Sequence, residues 1–162
     1  PTPAISHPHQ QPDGQSHSIG LIRMLWPEAR IVLCTRDPLD VAMSCYTRYF
    51  AKGQPFSWSL PELGEYLVEH EKLMRHWRSA VTDNLFEVRY EELIEAQEDI
   101  SRHMIEFAGL SWDDRCLEFH KTDRRIRTNP LAVRKPIYRS SIKRWKRFEP
   151  WIGPLKDALS DS

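Results

Sequence analysis

The stretch from Ala29 to Arg48, ARIVLCTRDPLDVAMSCYTR, constrains this chain more than any other. Ile31, Val32, Leu33 and Cys34 form a short apolar run without polar alternation, the pattern of a strand covered on both faces in a parallel sheet. Asp37 is a natural N-cap. Pro38 suits the first helical position, where its missing N–H costs nothing. A helix therefore follows the strand almost at once. Asp40, Ser44 and Arg48 are spaced four apart and share one face of it. Val41, Cys45 and Tyr49 share a neighbouring face that can go to the core. Arg36 in the turn, with a hydroxyl and a second cation along the helix, is a combination that suits a phosphate. A surface helix with an ordinary Arg–Asp turn fits the same residues equally well.

The rest of the chain builds around this unit. Residues 1–18 hold Pro1, Pro3, Pro8 and Pro12 among scattered His and Gln, and read as a flexible leader. Its His7, His9 and His17 have no Cys or carboxylate partner set, so a polar tail is expected rather than a metal site. Residues 19–162 are then a partial domain. Ile19 to Trp26 reads as a short helix stopped by Pro27, and Lys52 to Ser59 as a loop. Leu60, Leu63, Leu67, Met74 and Trp77 line one side of an amphipathic helix. Leu85 to Tyr90 is a second strand, and strand–helix–strand connectivity makes the two strands parallel.

Ile100, Met104 and Phe107 mark a further helix that Gly109 caps. Ser111 and Asp114 have the spacing of a capping box for a helix carrying Cys116 and Phe119. His120, tied to no nucleophile or carboxylate motif, reads as a residue at the edge of the core. Beyond Arg127 the chain is loop-like to Ser140. A short helix follows around Trp145, and a last one runs from about Pro150 to Leu159.

Composition narrows the function classes. Apolar residues make up 40% of the chain and aromatics 10%, so a packed core is within reach. No apolar run approaches the length of a membrane span, and no membrane partner is expected. Cys34, Cys45 and Cys116 lie far apart without CxxC spacing, which suggests free thiols in a reducing, cytoplasmic setting. The 23 basic and 23 acidic residues balance, but not locally. From Lys121 to Arg147 there are eleven Lys and Arg against one acid, Asp123, so this strip is about +10 and the remainder about −10. From charge alone a solvated basic loop is the commonest reading of such a strip; as a binding surface it suggests an anionic ligand, a nucleotide or a nucleic acid. Nucleic acid is the weaker competitor, because the basic residues are not interleaved with stacking aromatics.

Three segments, in order, resemble the sulfotransferase family. The family transfers a sulfuryl group from 3′-phosphoadenosine 5′-phosphosulfate (PAPS). Arg36, Ser44 and Arg48 match its 3′-phosphate-binding element, the second Arg being a feature of the tyrosyl-protein branch. Val88-Arg-Tyr-Glu-Glu-Leu93 is similar to its second strand and turn. Arg134-Lys-Pro-Ile-Tyr-Arg-Ser-Ser-Ile-Lys-Arg-Trp145 is similar to the C-terminal nucleotide loop of the bacterial and tyrosyl-protein types. The similarity runs from about Gly20 to Leu159.

The resemblance implies a P-loop-like α/β fold, a parallel sheet with flanking helices, and PAPS as co-substrate with a hydroxyl acceptor and no metal. It implies that Arg36, Ser44 and Arg48 hold the 3′-phosphate and that Tyr90 packs near the adenine. Arg134, Lys135 and Arg144 would close over the nucleotide. Trp145 would be a packing anchor. The family's Gly-rich loop for the 5′-phosphosulfate and its general base have no counterpart in this sequence. The chain is therefore expected to be the 3′-phosphate and adenine part of such an enzyme, with the N-terminal portion of the sheet missing. No catalytic residue is expected in it, and the open edge of the Ile31–Cys34 strand could favour self-association. A non-catalytic nucleotide-binding module is the alternative, and a nucleic-acid-binding domain the more distant one.

Overall fold

Three consecutive β-branched or branched apolar residues, Ile31, Val32 and Leu33, are all buried, so this strand is covered on both faces. It is the middle strand of a three-stranded parallel sheet in a computed structural model that describes residues 4–6, 16–48, 54–121, 137 and 139–160. The strands are β1 (Ala4–Ser6), β2 (Ile31–Thr35) and β3 (Leu85–Arg89), in that spatial order. Ala4 pairs with Ile31 and Ser6 with Leu33, while Ile31 pairs with Leu85 and Thr35 with Arg89. Among the described residues the helices are α1 (Ile19–Leu25), α2 (Pro38–Tyr46), α3 (Leu60–Ala80), α4 (Tyr90–Glu95), α5 (Gln97–Phe107) and α6 (Gly153–Ser160). The α/β class and the parallel pairing of β2 with β3 are thus as expected.

Two apolar clusters hold the elements. The larger joins Ala42 and Met43 of α2, Leu63 of α3, and Ile152 and Leu155 at α6, with Cys45, Phe56, Leu67, Trp145 and Phe148 packed against it. Met43 and Leu63 are almost fully removed from water, each worth about 1.5–3 kcal/mol of hydrophobic stabilisation. The smaller joins Ile19, Ile31 and Val81, flanked by Trp77 and Leu85. Helices α3 and α6 approach so closely at Gly64 that a Cβ there would lie 2.6 Å from the Ala158 Cβ. Ser59 caps α3, with Pro61 in its first turn. Gly109 takes φ +73° just past the end of α5, which is why glycine stands there.

Several expectations are corrected. The stretch read as a leader contains β1 at residues 4–6 and a 3₁₀ turn at Ser16–Ser18. β1 pairs along β2, so β2 is not the open edge expected of a sheet lacking its first strand. The core side of α2 centres on Ala42 and Met43, with Cys45 beside them and Val41 only half-buried. Ser111 and Asp114 do not open a helix. Asp113 caps instead, accepting the Arg115 N–H at 2.9 Å, and only 3₁₀ turns at Asp114–Cys116 and Phe119–Lys121 follow. A short acidic side chain that binds the backbone two residues on competes with helix propagation. The short helix expected around Trp145 is present, as a 3₁₀ stretch over Arg144–Trp151.

Candidate functional site

The register of the sheet creates the site. Thr35 and Arg89 are paired as the last residues of β2 and β3, so the residues that follow them, Arg36 and Tyr90, emerge side by side. This is the carboxyl edge of a parallel sheet, where α/β proteins build ligand crevices. The Arg36 guanidinium lies over the Tyr90 ring, 4.8 Å from its centroid. Asp37 begins α2 as anticipated, its carboxylate accepting the Asp40 N–H at 3.0 Å. The Asp37 N–H in turn donates to Glu91 on α4 at 3.0 Å, which pins the β2–α2 turn to the β3–α4 turn.

A third segment enters from more than a hundred residues away. Arg36 Nη2 donates to the backbone oxygen of Ser141, and the hydroxyls of Ser141 and Tyr90 share a 2.6 Å hydrogen bond. Asp40 completes the arrangement. One carboxylate oxygen accepts the Lys143 N–H at 2.6 Å, the other the Trp145 N–H at 3.0 Å, and Arg36 Nη2 lies 3.7 Å away. The Arg36 side chain is 5% exposed and that of Asp40 0%. Asp40 also stands in the first turn of α2, where a negative charge complements the helix dipole.

The structure thus joins Arg36 and Tyr90, from residues expected to bind nucleotide, with Asp40, Glu91 and Ser141, which were not. Ser44 is half-buried one turn beyond Asp40. Arg48, expected on the helix, is exposed and lies beyond its end: α2 stops at Tyr46. The Thr47 hydroxyl bonds back to the Met43 carbonyl at 2.6 Å, and the Arg48 N–H turns to Cys45 three residues back. This tightened last turn ends the four-residue spacing. Arg144 is exposed at the start of the 3₁₀ stretch, and Trp145 packs against the larger core cluster. Arg134 and Lys135 lie outside the described residues. Among the described residues no group of His, Cys, Asp and Glu could hold a metal ion. No described helix is long and apolar enough to cross a membrane. Cys34, Cys45 and Cys116 are free, and burial pushes the Cys34 thiol up.

Asp40 was visible in the sequence only as a member of a helix face. Its partners sit 103 and 105 residues further on, a distance across which periodicity carries no information. Ser141 stood inside the quoted C-terminal segment, but nothing marked it out from Ser140.

Comparison with known proteins identifies the family. A model of the sulfotransferase family matches residues 14–114, a span that includes β2, α2 and β3. An uncharacterized protein of Aquifex aeolicus (strain VF5) is 36% identical over 147 residues, which cover 88% of this chain and 19% of that protein. The chain therefore spans about a fifth of the length of that relative. With more than half of its residues matched by the family model, the chain belongs to the sulfotransferase family.

Proposed function

We propose that this chain forms the 3′-phosphate and adenine side of a PAPS site in an enzyme that transfers a sulfuryl group to a hydroxyl acceptor. One observation carries the reading: a near-buried arginine and a tyrosine emerge together from the carboxyl ends of two paired parallel strands. Family membership supports sulfuryl transfer in general. In the proposal Arg36 supplies planar, charge-assisted donors to the 3′-phosphate. Ser44 adds a hydroxyl from α2 and Arg48 a second charge. Tyr90 offers a ring edge to the adenine. Arg134, Lys135 and Arg144 bring the basic strip over the nucleotide. These residues bind and orient the nucleotide. PAPS supplies the sulfuryl group, and the acceptor and general base belong to other parts of the enzyme.

The test must allow for the second role of Arg36. Removing a buried cation beside Asp40 leaves an uncompensated charge, which costs about 3–5 kcal/mol of stability. Arg36→Lys keeps the charge but loses the planar fork. Calorimetry with adenosine 3′,5′-bisphosphate and with 5′-AMP should show the variant losing about 1.5–3 kcal/mol for the bisphosphate and much less for 5′-AMP, which lacks the 3′-phosphate. Equal losses for the two nucleotides would remove Arg36 from the 3′-phosphate.

A further inference from the structure

Among the described residues Asp40 is the one charged residue buried as a whole, its side chain 0% exposed beside that of Arg36 at 5%, and the groups that hold its carboxylate all belong to the candidate site. Two of them are backbone N–H groups, those of Lys143 and Trp145, at 2.6 and 3.0 Å. They converge on one carboxylate because Lys143 takes φ 55° and ψ 29°, a left-handed turn that makes an anion-holding concavity of the backbone. Two residues upstream, Ser141 is gripped by its carbonyl and its hydroxyl, through Arg36 and Tyr90. Side chains from β2–α2 and β3–α4 therefore seize the segment 141–145 at four points. The same segment carries Lys143 and Arg144 of the basic strip.

We propose that Asp40 is a positioning residue: its carboxylate latches the segment 141–145 against the carboxyl ends of β2 and β3 and orients the Arg36 fork, so that the two halves of the nucleotide site form together. The latch is read from the geometry. Its consequence for a ligand rests on the nucleotide reading given above. A carboxylate is needed because two N–H donors reach two different oxygens while a cation stands beside one of them. An amide in the same place offers one accepting oxygen and an NH₂ group that would face a donor.

Amide hydrogen exchange by NMR, with calorimetry on adenosine 3′,5′-bisphosphate, tests the proposal in the wild-type chain and in Asp40→Asn. In the wild type the Lys143 and Trp145 amides should be protected. In Asp40→Asn at least one of them should exchange about tenfold or more faster, while Val32 and Leu33 of the sheet stay protected. Affinity for the bisphosphate should fall by about tenfold or more. Unprotected amides at 143 and 145 in the wild type, or unchanged exchange in the variant, would overturn the latch whatever the chain binds. Faster exchange with undiminished bisphosphate affinity would overturn the positioning role. Faster exchange in a chain whose wild type binds no bisphosphate would instead overturn the nucleotide reading and leave the latch in place.

Discussion

Lys143 adopts a left-handed backbone conformation that side chains with a Cβ disfavour by about 1–2 kcal/mol. Its side chain is exposed, so no packing compensates. What holds the turn is the pair of backbone donors it aims at Asp40. The strain can therefore be relieved without touching the contact. Lys143→Gly should leave stability unchanged or raise it by up to about 1 kcal/mol, the gain being trimmed by the greater entropy of an unfolded glycine. Lys143→Ile should lose about 1–2 kcal/mol, because a β-branched residue fits this region worst. Urea unfolding of the two variants checks both signs, and a glycine variant less stable than the isoleucine variant would refute the argument. At this scale the sequence was partly readable. Arg36 stood out in the turn after one predicted strand, and Tyr90 as the last residue of another. Asp40 and Ser141 did not, because what makes them matter is a contact between distant segments.

Between elements, a fork of hydrogen bonds ties α3 to β3. Arg78 Nε and Nη2 donate to the two Glu87 oxygens at 2.9 Å each, and Nη1 donates to Glu71 at 2.7 Å. The Arg78 hydrogen bonds, set against some burial, hold the Glu87 carboxyl below its ordinary value. A group whose pKa is lower in the folded state stabilises above its unfolded pKa and stops doing so as pH falls through the folded one. The contribution should thus be full at neutral pH and fade below about pH 4.5. Both side chains remain about a third exposed, so the worth is modest, about 0.2–1 kcal/mol. Melting curves of wild type and Glu87→Gln should differ at about pH 6–7 and draw together as the pH falls below the ordinary carboxylate range. A gap that widens on acidification would contradict the assignment.

The elements themselves were legible where local chemistry decides them. Asp37-Pro38 starts α2 and Gly109 closes α5. Three residues of β1, with no period to read, were not. Nor was the choice between Ser111 and Asp113 as a cap, which an arginine two residues beyond Asp113 settles.

For the whole molecule, the question is what this set of contacts can accelerate. The proposed interactions all fall on the 3′-phosphate and adenine, atoms whose charge does not change when sulfate leaves. Interactions equally strong in the ground and transition states lower KM without raising kcat. Speeding the transfer needs donors at the bridging oxygen of the phosphosulfate and a base at the acceptor hydroxyl. The sequence has no Gly-rich Ser/Thr loop leading into a helix, and Asp40, the one carboxylate residue buried among the described residues, is spent on two backbone amides and an arginine. The chain also covers only 19% of its Aquifex relative, which leaves most of such a protein to supply the other groups. We therefore expect the 162-residue chain to bind adenosine 3′,5′-bisphosphate yet to transfer little or no sulfate. Radiolabelled PAPS, offered with phenol, tyrosyl-peptide and carbohydrate acceptors together, measures this directly. Joining the chain to an upstream segment that holds a phosphosulfate loop and a base should raise kcat far more than it changes nucleotide affinity. Multiple turnovers by the chain alone would mean that the groups acting on the leaving oxygen lie within these residues after all, and that the division of labour argued here is wrong.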